Sequence, residues 1–140
     1  MPLQLSEILP GAVAILDVAT LVKVPSVKYV EHGGVFRNGP FVCAQVKDGI
    51  SLWVQLTGQK DNRGIRLEIK KEWRIDGSDV WRNNPQFVHD ARKPFIGPNE
   101  AFVLSAAKEL PHQPHKRPVV SAEGVEAVIR EIKRYKCETL

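Results

Sequence analysis

Residues 85 to 98 read "PQFVHDARKPFIGP" and set His89, Asp90, Arg92 and Lys93 between two aromatic residues, Phe87 and Phe95. Histidine titrates near neutral pH and suits proton transfer. Arginine offers a planar fork of donors that matches a phosphate. Two further polar residues sit near turns or strand ends, Arg37 before "NGP" and Thr57 before Gly58. Together they fit metal-free phosphodiester chemistry on RNA. A base removes the ribose 2′-hydroxyl proton, a cation stabilises the charge on phosphorus, and an acid protonates the leaving oxygen. His89, Arg37 and Thr57 are the candidate catalytic residues. Each also has a plain structural reading: a half-buried histidine, an exposed turn residue and a strand end. His89 and Asp90 are adjacent, so on a strand they face opposite sides and do not form a dyad.

The cations that could follow a nucleic-acid backbone cluster in "KDNRGIRLEIKKEWR", residues 60 to 74. Arg63, Arg66, Lys70 and Arg74, with Arg92 and Lys93, form the candidate nucleic-acid-binding set. The net charge of +4 permits such contact without requiring it. Trp73 and Trp81 flank a polar turn beside this basic segment, where they could stack on bases or simply cover a core. The other chemistries have little support. There is no phosphate loop, GxGxxG, GxSxG, HExxH or CxxC. His112 and His115 lie among prolines that keep them off a helix, so no metal site and no cofactor is expected.

These residues need strands to position them. "AVAILDV" (12 to 18) is a buried strand after the Pro10-Gly11 turn, and "GPFVCAQV" (39 to 46) is a second. Asp48-Gly49 signals a type I′ hairpin into "ISLWVQL" (50 to 56). "GIRLEIKKEW" alternates as a half-buried strand with Arg66, Glu68 and Lys70 outward. "QFVHDA" reads as a short strand and "AFVLSAAKEL" as a strand or short helix. The long segment from Leu21 to Asn38 is either a functional loop or carries short elements of its own.

"PHQPHKRPVV" reads as an extended proline-rich linker. Ser121 is a helix N-cap, and Val125, Val128, Ile129, Ile132 and Tyr135 then recur at helical spacing. That apolar stripe must dock on its own domain or on a partner. The expected organisation is a β domain over 1–110, a linker over 111–120 and a helix with tail over 121–140. With 140 residues, one domain is expected. No apolar run is long enough to span a membrane, the start lacks a signal-peptide pattern, and the two distant cysteines suit a reduced, cytoplasmic protein.

The order "PGAVAILDV", a long loop ending at Arg37, "GPFVCAQV" and "ISLWVQLTGQ" resembles the MazF/PemK family of small-barrel ribonuclease toxins. Thr57 in "QLTGQ" matches the family's threonine and Arg37 its loop arginine, although "RNGP" stands where an Arg-Pro dipeptide is usual. The resemblance spans about residues 10 to 110; the proline-rich segment and final helix are not the family's usual ending. It implies an SH3-like barrel; with the final helix read from its spacing, the expected fold is mainly β, a small SH3-like β-barrel with a C-terminal amphipathic α-helix. The resemblance also implies homodimerisation, metal-independent hydrolytic cleavage of single-stranded RNA and an antitoxin-like protein partner. The alternative is a non-enzymatic small-barrel module that binds a protein or peptide, with the basic segment as a solvated edge.

Overall fold

The computed structural model describes residues 2–30, 38–110 and 114–140. Strand β1 (Val13–Leu16) leads into a short helix, α1 (Val18–Leu21), capped by the Asp17 carboxylate, which accepts from the Ala19 amide. Then come β2 (Gly39–Lys47) and β3 (Ile50–Thr57). Asp48 and Gly49 join them with φ of 53° and 78°, the positive pair that the hairpin turn demands. Beyond them lie β4 (Arg74–Ile75), α2 (Asp79–Asn83), β5 (Phe87–Val88), β6 (Phe95–Pro98) and α3 (Asn99–Ser105). β7 (Val119–Val120) and α4 (Ala122–Arg134) end the chain. The protein is mainly β, with antiparallel sheets and a C-terminal helix.

β1, β2 and β3 form a meander, and the far edge of β3 is shared by two strands. β6 takes Ile50–Trp53, while β5 takes Leu56 and Thr57. The centre of this sheet is buried on both sides, which is why β2 and β3 each carry a run of four consecutive buried residues. On one face Val42, Leu52 and Val54 pack with Trp73 and with Val125, Val128 and Ile132 of α4. On the other, Phe41, Cys43 and Trp53 pack with Phe95 and with Phe102 of α3. The indole of Trp53 stacks on Phe102 at 5.3 Å and donates to the buried Ser51 hydroxyl at 2.9 Å.

Three expectations change. The 65–70 segment alternates as expected, with Ile69 buried and Lys70 exposed, but it makes only a single bridge, Glu68 to Phe87. It then turns through a 3-10 helix at Lys71–Trp73, because its partner β5 is just two residues long and is preceded by Pro85, which has no amide to donate. Of residues 101–110, the part up to Ser105 belongs to the helix α3 and the rest leaves it in turns. The proline-rich segment is not a free linker: the Pro118 carbonyl accepts from the Val13 amide, β7 pairs with β4, and Arg117 sits largely buried between Glu7 and Glu109.

The β4–β7 ribbon joins the main sheet through an Ala12–Val119 bridge. No ladder among the described strands closes the sheet into a barrel; its two ends are joined covalently by the 3-10 turn. The helix α4 docks on its own sheet rather than awaiting a partner, and each large apolar side chain buried there stabilises by about 1.5–3 kcal/mol before entropy is charged. Among the described residues no helix is long and apolar enough to cross a membrane.

Gly124 marks how closely α4 sits. A Cβ there would lie 2.6 Å from Val120 Cγ1 and 3.0 Å from Trp73 Cβ. Gly124→Ala normally favours a helix by about 1 kcal/mol. Here it is expected to destabilise by about 1–3 kcal/mol through overpacking, read as a lower midpoint in urea unfolding.

Candidate functional site

The apolar face of Phe41, Trp53 and Phe95 gives way to polar residues at the C-terminal end of β3. Thr57 pairs with Phe87 and Leu56 with Val88, and the His89 amide donates to the Gln55 carbonyl at 2.8 Å. Gln55, Thr57 and His89 therefore share one sheet face through strand alternation and cross-strand register. They line a cavity of about 820 Å³ together with Arg66, Asp90 and Lys93, and Phe95 forms part of its wall.

Arg66 arrives from the loop after β3. The Asp61 carboxylate organises that loop by accepting from the Ile65 and Arg66 amides, and the Arg66 guanidinium donates to the Gln59 carbonyl at 2.6 Å. A guanidinium carries five N–H donors, so this bond uses only part of its capacity. Lys93 stands 3.6 Å from Asp90. Phe87 and Phe95, both buried, anchor the segment between them as the sequence led us to expect.

Asp90 is the hinge of that segment. Its carboxylate accepts two guanidinium bonds from Arg92, each at 2.9 Å, and a third from the Arg92 amide at 3.0 Å. Burial opposes ionisation, but the Arg92 bonds outweigh it and hold the carboxyl down at about 2. Arg92 in turn lies 5.9 Å from the Tyr135 ring, and the Cys137 thiol donates to its carbonyl at 3.6 Å. The C-terminal end of α4 thus grips the segment that carries His89 and Lys93.

Of the nine candidates, Thr57, His89, Arg66 and Lys93 meet at one cavity. Arg92 does not line it, being turned to Asp90 and Tyr135. Lys70 lies over the Trp73 ring at 5.0 Å, and half-buried Arg74 donates to the carbonyls of Trp81 and Asn84. Arg63 is exposed on the loop, outside the cavity. Arg37 lies outside the described residues. Trp73 and Trp81 belong to the core rather than to a stacking surface. Sequence reasoning passed over Gln55, whose place opposite His89 follows only from the β3–β5 register. Among the described residues no group of three or more His, Cys, Asp or Glu side chains could hold a metal ion.

No protein-family profile, curated protein or solved structure significantly matches this chain.

The Asp90 clamp makes a pH prediction. Its carboxyl titrates lower in the folded than in the unfolded chain, where the ordinary value is 3.8, so its contribution is complete above that value and is lost as pH falls toward about 2. Asp90→Asn should lower stability at neutral pH and flatten the acid loss across that window, measured by urea unfolding at stepped pH. Equal slopes for both proteins would remove Asp90 from the account.

Proposed function

We propose that this protein is a metal-independent endoribonuclease that cleaves single-stranded RNA in the cavity at the end of β3. The observation that carries the reading is the convergence of His89, Thr57, Arg66 and Lys93 on one concave site. Two cations face a single carboxylate there, and that carboxylate is already bonded to Arg92. The balance favours a phosphate, and burial in the cleft strengthens the attraction relative to water.

In the proposed reaction His89 takes the proton from a ribose 2′-hydroxyl. The 2′-oxygen attacks the adjacent phosphorus and the bond to the 5′-oxygen breaks. A 2′,3′-cyclic phosphate forms, and the departing 5′-oxygen recovers a proton from the histidine. Arg66 and Lys93 hold the nonbridging oxygens, and the Thr57 hydroxyl adds a neutral hydrogen bond. Arg37 remains a proposed contributor from the loop before β2. The reading also holds that the curled sheet is an SH3-like barrel and that the protein works as a cytoplasmic homodimer with an antitoxin-like partner. The barrel, the homodimer and the antitoxin-like partner rest on the MazF/PemK resemblance, and the compartment on the two distant cysteines.

Incubating the protein with mixed RNA in EDTA, then sizing the products, tests the reading. Cleavage should persist in EDTA and vanish in His89→Gln, with fold and RNA binding retained. Intact RNA in the wild-type reaction would overturn it in favour of a non-enzymatic module. The salt slope gives a second check. Arg66→Gln with Lys93→Gln should flatten log Kd against log salt by up to about two units, and Arg63→Gln with Lys70→Gln should leave it nearly unchanged.

A further inference from the structure

The end of β3 is the floor of the cavity of about 820 Å³, and its two neighbouring strands flank it. On one side β5 leads to His89 and, beyond it, Lys93; on the other the start of β2 brings Asn38 and Gly39 to the same cavity. Two strand spacings separate these sides, about 10 Å, a distance that one nucleotide can bridge from phosphate to base. The cations Arg66 and Lys93 account for a phosphate. Among the described residues, the β2 side adds no charged group to the lining.

Asn38 is held one way round. Its Oδ1 accepts from the Val18 amide at 2.8 Å, at the start of α1. Turning the carboxamide over would set its amino group against that N–H, donor to donor, so the oxygen is committed and the amino group is left to donate. Such a group bonds a base carbonyl and is repelled by an exocyclic amino group. Gln59, exposed on the loop after β3, can offer either end of its amide and so does not choose. The Asp90 carboxylate on the opposite side is already taken by Arg92 and Lys93. Gly39 keeps the space beside Asn38 open: a Cβ there would lie 3.7 Å from Gln55 Nε2, an ordinary contact.

We propose that Asn38 and Gly39 form a base subsite for the nucleotide whose 3′-phosphate lies between Arg66 and Lys93, and that Asn38 selects a carbonyl over an amino group on the base edge, hence uracil over cytosine. This rests on the RNA reading above for the identity of the ligand. Unpaired RNA leaves its base edges open to such a contact. Asn38 is exposed, so water competes with the base, and the discrimination falls at the low end of what a good base contact gives.

Titrating the full-length, ¹⁵N-labelled protein with uridine 3′-monophosphate, cytidine 3′-monophosphate and inorganic phosphate tests the proposal by NMR. All three should move the His89 ring and Lys93 signals, and uridine monophosphate should also move the Asn38 side-chain amide. Uridine monophosphate should bind about tenfold more tightly than the cytidine compound. Asn38→Asp keeps an oxygen for the Val18 amide and replaces the donor by an acceptor. It should reverse that ratio, whatever its added charge does to both affinities. Gly39→Val suits a strand and should fill the base side, removing the difference between the nucleotides while leaving the response to inorganic phosphate in place. An unmoved Asn38 amide, equal affinities, or a ratio that survives Asn38→Asp would overturn the subsite. So would inorganic phosphate that moves Asn38 as far as uridine monophosphate does. The expected ratio without RNA cleavage would sink the endoribonuclease reading alone; cleavage with equal nucleotide affinities would sink the subsite alone.

Discussion

Strand β3 has one edge left after its hairpin with β2, and two short strands divide it. β6 occupies the first half and β5 the second. The chain between them, Val88 to Phe95, must therefore leave the sheet and return within a few residues. That detour carries His89, Asp90, Arg92 and Lys93. The buried side chains of Phe87 and Phe95 fix its two ends, and the β5 register fixes His89 beside Gln55 and Thr57. Once β3 is shared in this way, a polar cleft at its end follows from the apolar residues running out.

The same economy appears on the opposite edge of the sheet. β1 pairs with β2 on one side, and its outer backbone groups would be open beyond Val13. Side chains complete them: Ile15 donates to the Glu109 carboxylate at 3.0 Å, and the Val13 carbonyl accepts from Arg117 at 3.0 Å. An exposed strand edge invites pairing with another chain, and a buried ion pair on the edge blocks it. The Arg117 guanidinium thus ties the N-terminal turn, α3's exit and the approach to β7 into one corner. Burial alone would disfavour its charge, yet the bonds to Glu7 and Glu109 outweigh that cost and raise its pKa.

Local signals in the chain were legible in proportion to how local their cause is. Asp48-Gly49 announces its turn because positive φ is a property of those two residues. The stripe from Val125 to Ile132 announces a docked helix because helical spacing is set by the backbone. Phe87 and Phe95 read correctly as anchors. The cavity was half legible: His89 and Thr57 could be named as polar residues near strand ends, and Arg66 and Lys93 as cations suited to a nucleic-acid backbone, but their meeting depends on the β3–β5 register. Arg92 and Arg74 show the opposite limit. Both look like available cations in the sequence, and both are engaged by groups that only the fold brings near, the Asp90 carboxylate in one case and two helix-end carbonyls in the other. The proline-rich segment misled for a similar reason: its polar composition suits a linker, and a single arginine with two distant carboxylates makes it part of the core's margin.

The central claim is that a phosphate sits among His89, Arg66 and Lys93. It is tested most directly by following the His89 ring and the Lys93 ammonium by NMR while adding a short RNA with a 2′-deoxy sugar at each cleavable position, so that it binds without reacting. The account predicts that the His89 ring and Lys93 signals move together and saturate together, and that His89→Gln leaves the Lys93 response in place. Shifts confined to the exposed cations Arg63, Lys70 and Lys71, with His89 and Lys93 unmoved, would contradict it.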